Sequence, residues 1–310
     1  MSTETIEVGG LRQRYGDFEA VRGIDFTVPR GGLFALLGTN GAGKTTTMEV
    51  LEGFRPAASG TVRLLGADPY RDRKALRPRV GIMLQESGLL GDLTVAETVD
   101  LWRDLHKNPI AKDEALKKVD LADKSDTRVR QLSGGQKRRL DLALAVVGRP
   151  EVLFLDEPTT GMDPEARIAT WRLIQELVAG GTTVLLTTHY LEEAERLADR
   201  IAIMHRGEIR IAGTVPEVVA GHGDRIAFRV PANTPIDTLP RIGGTAPEIA
   251  VADGLPTARY TVTGGEPDGR AHLAVAQLLT WASDCRITLD RLSVRPASLE
   301  DVFLSIVENQ

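Results

Sequence analysis

Cysteine is nearly absent. The 310 residues contain one, Cys285. No disulfide can form within the chain, which fits a reducing compartment. A lone cysteine of this kind is expected as a small buried hydrophobe. Long apolar runs are also missing. The longest, such as "LFALLG", have the length of a strand and fall far short of the roughly 18 residues that cross a membrane. The opening "MSTETIEVGG" has neither the basic start nor the apolar stretch of a signal peptide. A soluble chain is expected, and any membrane part must come from another chain. Positive charge is not in excess either. The net charge is −5, which argues against a mainly electrostatic nucleic-acid binder; no nucleic-acid partner is expected. There is no internal repeat, no low-complexity tract and no sustained heptad pattern.

What is present is βα alternation. Near-continuous apolar runs at 32–38, 79–85, 151–157, 182–189 and 200–205 suit strands buried on both faces. Helical patterns lie between them at 45–54, 134–148, 164–181 and 190–199. The fold class is therefore α/β with a parallel core sheet. "TIEVGGLRQRY" and "AVRGIDFTVP" alternate and carry turn residues, so the N-terminal part reads as an antiparallel β subdomain. Residues 86–147 read as a helical insertion, in which Val95, Val99, Trp102 and Leu105 share one face of a helix. After about residue 220 the texture changes. Short strands "RIAFRVP", "ARYTVTG" and "RITLDRLSV" and a helix "GRAHLAVAQLLTWASD" imply a small α+β C-terminal domain over 221–310, following a larger α/β domain over 1–220. The chain closes on a helix with Ser298 as N-cap and Asp301 at its third position.

The chemistry sits at strand ends. "GTNGAGKT", Gly38 to Thr45, fits G-x-x-x-x-G-K-[ST] between an apolar strand and a helix, the context that makes a phosphate loop. Its backbone N–H groups and the helix N-terminus suit β- and γ-phosphates. Lys44 adds a positive charge, and the Thr45 hydroxyl suits Mg²⁺. "VLFLDE" ends a second strand on Asp156, a candidate Mg²⁺ ligand, and Glu157, placed to polarise an attacking water. "TTH" ends a third on His189, which is within reach of a γ-phosphate, and Gln85 ends strand 79–85, suited to hold Mg²⁺ or water or to join the sheet to the insertion. A further cradle-like stretch, "LSGGQ", opens the helix at 134. Ser133 can cap that helix, and Gly134 and Gly135 leave N–H groups open. Either this is only a helix start, or it holds a phosphate that the chain's own loop does not. Spacing alone does not separate the two.

Taken together and in this order, "GTNGAGKTT", Gln85, "LSGGQ", "VLFLDEP", "GMD" and "TTH" resemble the ATPase subunits of ABC transporters, over residues 1 to about 220. The resemblance implies a P-loop ABC-type fold, ATP and Mg²⁺ as ligands, and ATP hydrolysis with Glu157 as base beside His189 and Lys44. Gly38, Thr39, Asn40, Gly41, Ala42, Gly43, Lys44, Thr45 and Thr46 would hold the phosphates, and Tyr15 would stack on adenine. Thr45, Gln85 and Asp156 would hold the metal. It also implies a head-to-tail pair of ATPase subunits, a homodimer or a pair with a sibling. Ser133, Gly134, Gly135 and Gln136 of one chain, with Asp163 from the "GMD" loop, would close over the other's ATP. "LDLALAVVGRPEVLFLDEPTTGMDPEAR" and "ASLEDVFLSIV" are similar to bacterial drug-resistance exporters of the daunorubicin and tetronasin types. In that group a separate permease of about six spans carries the membrane part, with the ATPase peripheral on its cytoplasmic face. Segment 87–101 would receive it. Lipid or glycan export and import are the alternatives. A non-transport ATPase of DNA repair would need a long coiled-coil insertion that is missing here.

Overall fold

The computed structural model describes residues 4–86, 88–231, 234, 236–242, 245–252, 255–262 and 270–308. Met1, Ser2, Thr3, Ser87, Thr263, Gly264, Gly269, Asn309 and Gln310, which fall in segments interpreted above, lie outside the described residues. The chain divides into two compact units, Met1–Val215 and Pro216–Gln310.

The strands of the first unit are β1 (Glu4–Tyr15), β2 (Phe18–Pro29), β3 (Leu33–Gly38), β4 (Ser59–Leu64), β5 (Val80–Met83), β6 (Val152–Asp156), β7 (Thr183–Thr188), β8 (Arg200–His205) and β9 (Glu208–Gly213). Its helices are α1 (Lys44–Leu51), α2 (Arg73–Leu76), α3 (Val95–Arg103), α4 (Lys112–Lys118), α5 (Gly134–Val146), α6 (Pro164–Ala179) and α7 (Leu191–Leu197). A six-stranded sheet in the order β5-β6-β7-β3-β8-β9 forms its centre. All its pairings are parallel except β8 with β9. β3, β6 and β7 are buried at every residue, as an unbroken apolar run demands when both faces of a sheet are covered. A three-stranded antiparallel sheet, β2-β1-β4, shares one hydrophobic core with the central sheet, joining Ile6, Val21 and Ile24 to Phe34, Leu36, Phe154 and Met204. Burying an aromatic such as Phe34 or Phe154 in that core contributes about 2–3 kcal/mol each.

Register fixes where the chemistry falls. Leu37 pairs Thr188, Gly38 pairs Met204, and Asp156 pairs Thr187. The strand ends therefore share the carboxyl edge of the sheet, the edge at which ligands of α/β folds bind. Between β5 and β6 lie α3, α4 and α5. α3 is started by a reciprocal cap, with Thr94 Oγ1 accepting from Glu97 N–H at 3.1 Å and Glu97 Oε2 accepting from Thr94 N–H at 2.8 Å.

Three expectations are corrected. β5 stops at Met83, so Gln85 stands in a bend beyond the strand and not at its end. Arg138 takes the carbonyls of Leu84 and Gln85, which leaves them unable to extend the ladder. Leu105 is 73% exposed and does not join Val95 and Val99 on the buried face. α3 ends at Arg103, and Leu105 N–H bonds Trp102 O in a tighter turn, which breaks the 3.6-residue period. Cys285 is exposed rather than buried, because the helix Arg270–Asp284 ends just before it and the chain turns there. β4, β9 and a later strand at Glu248–Ala252 were not anticipated; β9 is buried only at Gly213, its other positions being half-buried or exposed, a weak signal.

A helix α8 (Val215–Ala220) leads into the second unit, which contains β10 (Asp224–Arg229), β11 (Glu248–Ala252), β12 (Leu255–Val262), α9 (Arg270–Asp284), β13 (Asp290–Arg295) and α10 (Leu299–Glu308). The strands form one antiparallel sheet in the order β11-β12-β10-β13. Ile226, Phe228 and Tyr260 of the sheet pack with Ala274 and Leu278 of α9. α10 is pinned by one carboxylate. Asp301 accepts from Arg295 at 2.6 and 3.1 Å, from Ser298 N–H at 2.9 Å and from the Ser298 hydroxyl at 2.9 Å. Burial pushes this carboxyl up, but the hydrogen bonds from Arg295 and Ser298 outweigh it and hold its pKa at about 2. The folded state thus favours the ionised form. Its stabilisation is complete above the unfolded-state pKa and is lost as pH falls through about 4 towards 2. Asp301→Ala is expected to remove about 1–3 kcal/mol from this unit at pH 7. The mutant's stability should then change less than the wild type's between pH 5 and pH 2, measured by urea unfolding followed through Trp281. No helix among the described residues is long and apolar enough to cross a membrane.

Candidate functional site

The loop after β3 closes tightly, for steric reasons. A Cβ on Gly38 would lie 2.5 Å from Met204 O, so only glycine lets β8 pass that close. Gly43, the N-cap of α1, sits at φ +106° with its α-carbon against Ala20 O, where a Cβ would be 2.5 Å away. The space above the loop is a cavity of about 350 Å³ lined by Tyr15, Phe18, Ala20, Asn40, Gly41, Ala42, Gly43, Lys44, Thr45, Thr46, Gln85 and Glu157. Its floor is the N-terminus of α1, whose first N–H groups have no partner within the helix and carry the positive end of its dipole.

Lys44 is buried, and its Nζ donates to Gly38 O at 2.8 Å and Thr39 O at 3.2 Å. It thereby braces the loop from inside. Burial lowers its pKa, and the charges of Glu157 and Asp156 oppose that. Asp156, next to Glu157 in the chain, is buried and does not line the cavity; it accepts from the Thr187 hydroxyl. Burial raises its carboxyl pKa, the Thr187 bond opposes, and Glu157 adds to the rise. Such a carboxyl gains from a cation beside it.

Glu157 has φ +50°, a left-handed backbone that costs a non-glycine residue about 1–3 kcal/mol. Its surroundings over-determine it. Its N–H donates to Thr187 O at 3.1 Å and Thr187 Oγ1 at 3.2 Å, and its carbonyl accepts from Arg138 at 2.8 Å. The side chain accepts from the Thr160 hydroxyl at 3.3 Å, and His189 Nδ1 lies 3.2 Å from Glu157 Oε1. Behind it, Thr159 Oγ1 and Trp171 Nε1 both donate to the buried Glu193 Oε1 at 2.9 Å, tying the following loop to α6 and α7.

Tyr15 is half-exposed at the cavity rim. Its hydroxyl donates to Glu49 at 2.9 Å, and the Arg55 guanidinium lies 5.0 Å from its ring centre. One ring face is thus backed by a cation, a polarising support for stacking on the other.

Ser133, Gly134, Gly135, Gln136 and Asp163 do not line this cavity. Ser133 Oγ accepts from Gln136 N–H at 3.2 Å, and Gln136 Oε1 accepts from Ser133 N–H at 2.9 Å, so the motif caps α5 reciprocally. Ser133 and Gly134 face solvent. Gly135 packs close to Gly161 and Met162, and the buried Met162 sulfur accepts from the Thr170 hydroxyl at 3.3 Å. Asp163 Oδ1 caps α6 through Ala166 N–H at 2.9 Å, which holds its pKa down. The motif and the "GMD" loop therefore form a second, exposed surface of the same chain.

Sequence reading had missed Phe18, Ala20, Thr187, Glu193 and Arg138. Phe18 has a signal, as an aromatic across the hairpin turn from Tyr15. Arg138 has one too, since it stands on the buried stripe with Leu142 and Ala145. Glu193 has none, because only the packing of α7 brings it to Thr159 and Trp171; Thr187 lies within the "TTH" run, but its bonds to Asp156 and Glu157 depend on the pairing of β7 with β6.

The donor set is oxygen-rich. The Thr45 hydroxyl, the Gln85 amide and the Asp156 carboxylate are hard ligands of the kind Mg²⁺ takes, and the glycine cradle with Lys44 fits a polyphosphate. These residues fit both groups.

Comparison with known proteins agrees with this geometry. Residues 21–160 match the ABC transporter family, and residues 224–298 match the C-terminal domain of ABC transporter domain-containing protein-like chains. The chain is 45% identical to daunorubicin resistance ATP-binding protein DrrA3 of Streptomyces coeruleorubidus over 73% of each protein. It is 36% identical to DrrA2 of the same organism, over 99% of this chain and 96% of that one. Nod factor export ATP-binding protein I of Paraburkholderia xenovorans is 37% identical over 99% and 98%. Among solved structures, an ATP-binding subunit of an ABC transporter superposes with a TM-score of 0.64 at 28% identity, covering 69% of this chain and 91% of that one. The cbiO1 subunit from Clostridium perfringens does so with a TM-score of 0.62 at 28% identity, over 70% and 91%. With an ATP-binding cassette fold, a phosphate loop facing Glu157, and relatives matched along nearly its whole length, the chain belongs to the ATP-binding subunits of ABC transporters.

Proposed function

We propose that this chain hydrolyses ATP to drive export through a separate integral membrane permease of about six spans, on whose cytoplasmic face it sits. The observation that carries the reading is one cavity in which the phosphate loop, Gln85 and Glu157 meet, with His189 3.2 Å from Glu157. Tyr15 would stack on the base, and Asn40 to Thr46 would hold the phosphates. Thr45, Gln85 and Asp156 would hold Mg²⁺, which when bound neutralises charge on the β- and γ-phosphates. Glu157 accepts the proton of the attacking water, and His189 beside it orients that carboxylate.

The exposed motif starting at Ser133 supports a paired arrangement. Two such chains, identical or sibling, would each close the cavity of the other with Ser133 to Gln136 and Asp163. ATP is then held between them, and binding shifts the population from open to closed pairs. Gln85, exposed in the bend after β5, is where closure would pass to the permease.

Drug or lipophilic-metabolite efflux is the cargo reading that the daunorubicin resistance relatives favour. Relatives named for Nod factor export match over as much of the chain, which supports export of a glycan or lipid cargo as the second reading. The test is affinity capture of the chain from detergent-solubilised host membranes under ATP-trapping conditions. A polytopic partner in near-equal amount is the expected result. Recovery without any membrane protein would overturn the transport reading.

A further inference from the structure

Arg138 stands four residues after Gly134 on α5 and is 6% exposed. A buried guanidinium is costly unless its donors are satisfied. Here they are met almost wholly by main-chain oxygens. One terminal nitrogen, Nη1, donates to Leu84 O and, at 3.1 Å, to Gln85 O. The other, Nη2, donates to Asp156 O and, at 2.8 Å, to Glu157 O. The fork therefore grips two separate segments. The first carries Gln85, and the second carries Asp156 and Glu157. Both are fastened to the helix that opens with the Ser133 motif.

Apart from Asp156, the last residue of β6, the gripped residues lie outside regular secondary structure. β5 has ended at Met83, and β6 ends at Asp156. Glu157 adopts φ +50°, a conformation that persists only where its neighbours impose it. Two tethers impose it: Thr187 takes the Glu157 N–H, and Arg138 takes the Glu157 carbonyl. Arg138 does not line the cavity, so it would not touch a nucleotide in it.

We propose that Arg138 is a positioning residue for ATP hydrolysis. Its planar fork sets the spacing between the Gln85 bend and Glu157 and fixes both to α5. An ammonium group has no such geometry: a lysine at this position could reach one pair of carbonyls but not span two. Through Arg138 the exposed motif at the start of α5 and the base at the end of β6 move as one body. The inference rests on the ATPase reading and assigns a further residue to it.

The test is Arg138→Met beside Arg138→Lys, Arg138→Ala and Glu157→Gln in the full chain, at a temperature well below the unfolding transition. Arg138→Met is expected to lower kcat about 10- to 100-fold, the usual effect of losing an orienting partner. Nucleotide affinity, titrated with a fluorescent ATP analogue, should stay within about threefold because the phosphate loop is untouched. Arg138→Lys should also be slow. Added guanidinium at tens of millimolar, a concentration far below denaturing ones, should restore part of kcat to Arg138→Ala and leave Arg138→Lys unchanged. Wild-type kcat in Arg138→Met or in Arg138→Lys would overturn the proposal. So would a loss of kcat matched by an equal loss of nucleotide affinity, or a failure of guanidinium to rescue Arg138→Ala; each would mark the side chain as ordinary packing. If Met and Ala variants do not fold, the Lys variant decides by its kcat alone. Glu157→Gln separates the two levels. If it hydrolyses ATP at the wild-type rate, the assignment of Glu157 as the base fails; if it is slowed about 10²- to 10³-fold while Arg138 variants run at full rate, only the role of Arg138 is lost.

Discussion

Glu157→Gln, given ATP, is expected to bind it, to turn it over about 10²- to 10³-fold more slowly than the wild type, and to elute as a dimer. The substitution keeps the side-chain shape and removes the carboxylate proposed to take the proton. His189 Nδ1 and the Thr160 hydroxyl lie 3.2 and 3.3 Å from the two separate carboxylate oxygens; in the amide one of them can meet the oxygen, and the other position becomes an NH2 that the Thr160 hydroxyl oxygen can accept from, so the site should stay assembled. The backbone tethers from Thr187 and Arg138 do not depend on the carboxylate at all. With the reset step removed, closed pairs accumulate. Size-exclusion chromatography with and without ATP reads the dimer, and phosphate release reads the rate. Adding Ser133→Arg to Glu157→Gln should return the protein to monomer, because a long charged side chain would occupy the exposed surface proposed to meet the partner's nucleotide. Turnover by Glu157→Gln at the wild-type rate would refute the assignment of the base.

Lys44→Ala is expected to fail one step earlier. Charge-assisted bonds to phosphate contribute about 1.5–3 kcal/mol each, so losing this amine should weaken ATP binding by at least about 10- to 100-fold. The structure adds a second cost. Nζ also braces Gly38 O and Thr39 O from inside the loop, and alanine leaves those carbonyls without that donor. The loop should therefore loosen even before nucleotide arrives. Equilibrium titration with a fluorescent ATP analogue separates this from the Glu157 result: affinity falls here and is kept there. No dimer should form with ATP. Nucleotide affinity near the wild-type value in Lys44→Ala would contradict the proposed cradle.

Much of this was legible before any coordinates. Unbroken apolar runs report strands buried on both faces, and three of them end on Gly38, Asp156 and Thr188 at one edge of the sheet. The spacing of Gly38, Gly43 and Lys44 between a strand and a helix was readable as a phosphate loop, although the close approach of Met204 O and Ala20 O, which leaves no room for a Cβ, is a tertiary fact. Local capping is equally readable. Ser133 with Gln136 and Ser298 with Asp301 sit three residues apart, and both pairs close their hydrogen bonds.

Other features depended on the third dimension. Periodicity assumes that a helix continues, so it placed Leu105 on a buried face that α3 does not reach. The bend at Gln85 arises because a side chain more than fifty residues later takes the carbonyls of Leu84 and Gln85. No local pattern encodes that exchange. The same holds for Thr187 on Asp156 and for Glu193 beneath Thr159 and Trp171.

By itself, then, the sequence determined most of the elements, the edge of the sheet that carries chemistry, and the residue types available there. Those follow from burial, chain stereochemistry and short-range hydrogen bonding, which act over a few residues. Only the tertiary structure decided that Glu157 takes a left-handed backbone facing the phosphate loop, that Arg138 holds it there, and that the Ser133 motif lies exposed and outside the chain's own cavity. Such relations depend on which distant groups compete for the same carbonyls and the same space, and that competition exists only once the chain has packed.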